Sequence, residues 1–183
     1  MRETPENTRA NLPPGRLEDV RVLIVDDDRD VLDTFDAAFQ SEGALTWLAM
    51  DGNEAVDVCS DDPPDVVILD MMLPGRSGFL ALEKIKGKSD SPIVIMVTAN
   101  EGRRHQAYAE SLGVDGYMIK PVPLERLLDR VATLVRERGP VQRAEGASKW
   151  TDDDETNETD ADANSSDGGD GESSGGGDAD GGD

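Results

Sequence analysis

The chain has 183 residues, with 18 Lys and Arg against 40 Asp and Glu, a formal net charge of −22 and 36% hydrophobic residues. The acidity is uneven: residues 151–183 hold 13 acidic side chains and no basic one, whereas residues 20–138 are about 46% apolar, ordinary content for one globular core. No apolar run approaches the ~18 residues of a membrane span, the N-terminus lacks the apolar stretch of a secretion signal, the single cysteine, Cys59, fits a reducing compartment, and the acidic balance disfavours direct nucleic-acid binding. The expectation is a cytoplasmic protein with neither membrane nor nucleic acid as partner.

Residues 1–19 are polar and carry Pro5, Pro13 and Pro14, which suggests a flexible lead-in. At 22–25 the run VLIV ends in Asp26, Asp27 and Asp28. Continuous β-branched runs of this kind suit strands covered on both faces, as in a parallel sheet. Similar runs recur at 45–49, 66–69, 93–97 and 117–119. Helical spacing fills the intervals. Val31, Leu32, Phe35, Ala38 and Phe39 share one face, as do Ala55, Val56 and Cys59, and then Phe79, Leu82 and Ile85. The clearest stripe is Leu124, Leu127, Leu128, Val131, Leu134 and Val135, with Pro123 placed for a first turn and Gly139-Pro140 as a stop.

Five strands alternating with five helices imply right-handed crossovers and a doubly wound α/β domain over residues 20–138. The common order for such a sheet is 2-1-3-4-5, the flavodoxin-like arrangement, with ligands at the carboxyl ends of strands 1 and 3. From residue 139 the composition collapses. Residues 164–183 contain eight Gly, four Ser and six acidic residues. Such a segment cannot bury enough apolar surface to offset chain entropy, so residues 139–183 are expected to be a disordered acidic tail.

The strand ends carry the chemistry. Strand 1 delivers Asp26 and Asp27, strand 3 Asp70, strand 4 Thr98 and strand 5 Lys120. Parallel strands all point one way, so these side chains converge on one edge of the sheet. Crowded carboxylates repel unless a cation sits among them, and an oxygen-only set with room for water suits Mg²⁺. Lys120 adds a mobile positive charge, and Thr98 a hydroxyl that can donate to an anionic oxygen. The set suits a phosphoryl group, with a carboxylate as nucleophile and the cations neutralising charge in the transition state.

The strings VLIVDDD, DVVILDMMLPGRSG, VTA and GYMIKP, in this order over residues 20–138, resemble the receiver domain of two-component response regulators. The resemblance implies Asp70 as phosphoacceptor, with Asp26, Asp27, Asp70 and the backbone carbonyl of Met72 around Mg²⁺. It implies Thr98 as switch hydroxyl, Lys120 as the site lysine, Tyr117 as the aromatic switch, a cis peptide at Lys120-Pro121, and Gly78 as the loop glycine. Phosphorylation of Asp70 raises its charge to roughly −2 and adds acceptor oxygens. Thr98 then moves to a phosphoryl oxygen, Tyr117 turns inward, and the face of the fourth helix, fifth strand and fifth helix changes for a partner. Such a switch is a two-state population shift. The implied donor is a histidine kinase or histidine phosphotransfer protein. The implied output is protein–protein, because no effector pattern follows residue 138, and the family also admits a phosphorylation-dependent dimer. The protein is thus expected to be a single-domain response regulator and no enzyme beyond its own phosphorylation and dephosphorylation.

Two other functions share parts of this chemistry. Aspartate-nucleophile phosphohydrolases use Asp, Mg²⁺, Thr and Lys, but they place the nucleophile after the first strand. A receiver fold can also serve as an interaction module without phosphorylation. Met72 and Asn100 lie two residues beyond the phosphoacceptor and the switch threonine. Neither is acidic, so slow self-dephosphorylation is expected. Asp28 and Asp30 are expected to be solvated, His105 to be a solvated residue and Cys59 to be core; Arg103, Arg104 and Tyr108 are candidates for a partner surface, the alternative to a plain solvated face.

The acidic composition resembles that of proteins from salt-loving archaea. A charge of −22 repels itself over a Debye length of ~30 Å at 0.01 M salt but only ~3 Å at 1 M. The melting temperature is therefore expected to rise from low to molar KCl. A flat melting temperature in full-length and tail-deleted protein alike contradicts this expectation.

Overall fold

The computed structural model describes residues 15–99 and 102–139. Val- and Ile-rich runs form the strands, and the amphipathic intervals form the helices between them. The order is β1 (Arg21–Val25), α1 (Arg29–Ser41), β2 (Leu45–Ala49), α2 (Gly52–Asp61), β3 (Val66–Leu69), α3 (Gly78–Lys86), β4 (Ile93–Thr98), α4 (Arg103–Ser111), β5 (Gly116–Ile119) and α5 (Leu124–Arg138). All pairings are parallel, in the expected order β2-β1-β3-β4-β5. β1 and β5 each begin one residue earlier than expected, and β4 runs one residue further, to Thr98.

Strand side chains alternate between two faces. Val22, Ile24, Val66, Ile68, Ile93, Ile95 and Val97 pack with Leu32, Phe35 and Phe39 of α1 and Leu127, Leu128 and Val131 of α5. Leu23, Val25, Val67, Leu69, Val94 and Met96 pack on the other side with Ala55 and Cys59 of α2, Ala81, Leu82 and Ile85 of α3, and Ala109 of α4. Cys59 is core as expected, and burial pushes its thiol up to about 12, which makes it inert.

Two acids do structural work at the amino-terminal edge of the sheet. Asp65 accepts the Arg21 N–H at 2.8 Å, and Asp115 accepts the Val94 N–H at 2.7 Å while pairing with Lys86 at 2.6 Å. Each acid directly precedes one strand and satisfies the first turn of the ladder on its neighbour.

Asp28 is exposed as expected and also serves as N-cap of α1, accepting the Asp30 N–H at 2.9 Å. Two expectations need correction. Pro123 is the N-cap of α5 and not a first-turn residue; its carbonyl accepts from the N–H groups of Arg126 and Leu127. The lead-in does not extend to residue 19. Residues 16–19 form a turn, and Leu17 is fully buried beside Val22 and Phe39. The Leu17 N–H reaches the Glu42 carbonyl at 3.0 Å, and Arg16 pairs with Glu42 (2.6 Å), Glu125 (3.0 Å) and Asp129 (2.7 Å). The remaining lead-in to residue 14, Asn100 and the acidic tail from residue 140 lie outside the described residues.

Leu17→Ala removes a fully buried side chain and is expected to cost about 2–5 kcal/mol. The urea midpoint measures it; a shift below ~0.5 kcal/mol would mean that the 16–19 turn is not part of the core.

Candidate functional site

The site is built by extending the parallel ladder one residue past each strand. The Asp26 N–H donates to the Ala49 carbonyl at 3.2 Å, Asp70 to Val25 at 2.9 Å, and Lys120 to Thr98 at 2.9 Å. The backbone of each site residue is therefore set by its neighbouring strand. Asp26 and Asp70 are 3% and 5% exposed, and Thr98, the last residue of β4, is fully buried.

The structure brings three of the expected residues into direct contact. Lys120 Nζ lies 2.5 Å from Asp26 Oδ2 and 3.0 Å from Asp70 Oδ1. The other carboxylate oxygens take backbone donors: Asp26 Oδ1 accepts the Asp28 N–H at 3.1 Å, and Asp70 Oδ2 accepts the Met72 N–H at 2.5 Å. Lys120-Pro121 is cis. Gly78 closes the loop after Asp70: its N–H bonds the Met71 carbonyl at 3.0 Å, and a Cβ there would lie 2.8 Å from Met71 Cα and run into the Asp70 carbonyl. Only glycine accommodates that approach.

The electrostatics follow from burial. Burial pushes the Asp26 carboxyl up; the Lys120 and Asp28 hydrogen bonds oppose this, and the charge of Asp70 adds to it. Burial acts to lower Lys120, but hydrogen bonds to Asp26 and Asp70 outweigh it and hold the ammonium above its usual value. Tyr117 is half-buried on the side of the sheet packed by α2, α3 and α4, and burial together with the charge of Asp70 raises its phenol.

Asp27 is exposed, and Met72 is 67% exposed. Among the described residues, no three Asp, Glu, His or Cys side chains are gathered for a metal ion. The donor chemistry nevertheless fits Mg²⁺. Asp26 and Asp70 are hard oxygen ligands drawn to one Nζ, and two acids share that single ammonium. Mg²⁺ is usually held by only one or two carboxylates and keeps several waters.

His105 is not simply solvated. It is half-buried on α4, with its ring 5.9 Å from Phe79 of α3, and Phe79 also meets Tyr108 edge-on at 5.1 Å. Arg103, Arg104 and Tyr108 are exposed on the same helix. Among the described residues no helix is long and apolar enough to cross a membrane.

Fold and site define a doubly wound α/β protein with an acid–lysine cluster at the carboxyl edge of its sheet. The family model for the response regulator receiver domain matches residues 22–132, and the chain belongs to that family. Among solved structures, a CheY-like receiver domain protein from Methanospirillum hungatei JF-1 is 27% identical with a TM-score of 0.64, over 66% of this chain and 97% of that one. The receiver domain of the Francisella response regulator 1452 is 26% identical, TM-score 0.63, over 66% and 100%. A CheX–CheY–BeF₃–Mg²⁺ complex from Borrelia burgdorferi is 28% identical, TM-score 0.59, over 63% and 88%.

Asp26 carries a pH consequence. Its folded carboxyl titrates above the ordinary 3.8, so the folded state binds more protons than the unfolded one within that window. The stability this carboxyl contributes falls as pH rises through that window. Asp26→Asn, measured in EDTA, removes the titrating group, so its melting temperature is expected to change less than that of wild type as pH rises from about 4 to about 7. A variant whose melting temperature follows the wild-type pH profile contradicts it.

Proposed function

We propose that the protein is a response regulator that accepts a phosphoryl group on Asp70 from a histidine kinase or histidine phosphotransfer protein. The observation that carries this reading is the Lys120 ammonium held between Asp26 Oδ2 and Asp70 Oδ1 at the carboxyl edge of the sheet. Asp70 attacks phosphorus through a carboxylate oxygen, and the donor imidazole leaves. Lys120 follows the charge from the carboxylate to the phosphoryl oxygens. Asp26, Asp27, Asp70 and the Met72 carbonyl would hold Mg²⁺, which when bound supplies charge neutralisation for phosphoryl transfer. Asp27, exposed in this structure, would have to turn inward to join that set.

Thr98 is the switch hydroxyl and Tyr117 the residue that follows it. Thr98 ends β4, paired with Ile119, and Tyr117 lies on β5 opposite Met96. The output surface is the face of α4, β5 and α5, read by a partner protein, with Arg103, Arg104 and Tyr108 contributing from α4. A response regulator of this kind works in the cytoplasm, where its donor resides. Met72 supports a long-lived phosphoform, since its side chain offers no group to orient an attacking water.

Intact-mass spectrometry after incubation with acetyl phosphate tests the reading. One phosphoryl adduct is expected in wild type with Mg²⁺, none in EDTA and none in Asp70→Asn. The adduct should persist for minutes or longer, and Met72→Asn should shorten it. An adduct that survives Asp70→Asn overturns the assignment of the acceptor.

A further inference from the structure

Residues 71–77 join β3 to α3 and carry Met72, whose N–H bonds Asp70 Oδ2. One end of this loop is pinned by Gly78, as described above. The other end is braced by the first turn of α2, some 20 residues back in sequence. Asn53 Oδ1 accepts a hydrogen bond from Arg76 Nε at 3.0 Å. Beside it, Gly75 adopts φ +68, and a Cβ there would lie 3.0 Å from Asn53 Nδ2. Gly52 lets the two segments touch: a Cβ on it would sit 3.0 Å from Arg76 Cβ and run into the Arg76 carbonyl. The amide itself is aimed by its own helix, whose N-cap Asp51 accepts the Asn53 N–H at 2.7 Å and the Glu54 N–H at 3.0 Å.

We propose that Asn53 is a positioning residue for the metal-dependent chemistry of Asp70, acting through Arg76 to brace the loop that carries Met72. The proposal rests on the reading of Asp70 as a Mg²⁺-assisted phosphoacceptor. Asn53 touches neither Asp70 nor Lys120, and its side chain is exposed. Burial therefore does not explain its contacts. They have one evident consequence: the backbone at Gly75–Arg76 is fixed relative to α2, which leaves the Met72 end of a short loop little freedom.

The test uses the full chain and two readouts. Melting temperature against Mg²⁺ concentration measures binding without phosphorylation, and the Mg²⁺ dependence of adduct formation from acetyl phosphate measures the chemistry. Asn53→Ala is expected to shift both midpoints to higher Mg²⁺ concentrations, with the same adduct rate at saturating Mg²⁺. Asn53→Asp keeps an acceptor for Arg76 and should restore both midpoints. Arg76→Ala should match Asn53→Ala, and the double variant should be no worse than either, because both act through one contact. Asn53→Ala is mild for the fold, since the residue is exposed in a first helical turn.

If wild type shows neither a Mg²⁺-dependent melting shift nor an adduct, the phosphoacceptor reading fails and this proposal with it. If wild type shows both and Asn53→Ala overlays it, or lowers only the metal-free melting temperature, the positioning role alone is overturned.

Discussion

The ammonium of Lys120 between two buried carboxylates is the interaction on which the site depends. Asp26 and Asp70 follow adjacent strands, and each has backbone hydrogen bonds that prevent its retreat from the other. Without a cation, two charges so placed would drive one another toward protonation. Lys120 supplies a compact cation on a flexible stem, anchored by its own N–H on Thr98. Such a group can shift its donors from carboxylate to phosphoryl oxygen as negative charge moves outward, which a rigid guanidinium could do less freely. Burial raises the Asp26 carboxyl even with this ammonium beside it, and the charge of Asp70 adds to the rise.

Strand polarity decides what an aspartate means in this fold. Asp26 and Asp70 directly follow strands β1 and β3; Asp65 and Asp115 directly precede β3 and β5. The residue type is the same, yet the leading acids close the ladder by accepting a neighbouring strand's N–H, whereas the trailing acids have side-chain oxygens facing Lys120. A parallel sheet puts all trailing residues on one edge, so function collects there and structural satisfaction at the opposite edge.

This polarity explains which features were legible in the sequence. Continuous Val and Ile runs marked the strands, and Asp26, Asp70, Thr98 and Lys120 could be found by reading the residue at or just beyond each run. Alternation implied a doubly wound parallel sheet, and 2-1-3-4-5 is the common order for one of five strands. The structural roles of Asp65 and Asp115 were not legible, because an acid before a strand looks like any solvated charge until its neighbour's register is known. Leu17 is not legible for a related reason: one leucine in a proline-rich polar stretch has no period, and only its bond to the Glu42 carbonyl and its burial in the cluster that includes Phe39 place it in the core. His105 was misjudged because the ring that half-covers it, Phe79, belongs to another helix.

The brace between α2 and the β3–α3 loop belongs to this last kind, and it shows how a small fold separates strength from precision. Hydrophobic burial holds α2 and α3 against the sheet without regard to a shift of a few tenths of an ångström. Metal coordination and in-line transfer are sensitive to such shifts. The loop after Asp70 has exposed residues at Met72, Pro74 and Gly75, so apolar packing cannot position all of it. Directional contacts substitute: two glycines admit close backbone approach, one side-chain amide fixes the far end, and one N–H to Asp70 fixes the near end. The Arg76–Asn53 bond is exposed and worth little in stability. Its value lies in geometry, and it can therefore be removed without unfolding the domain.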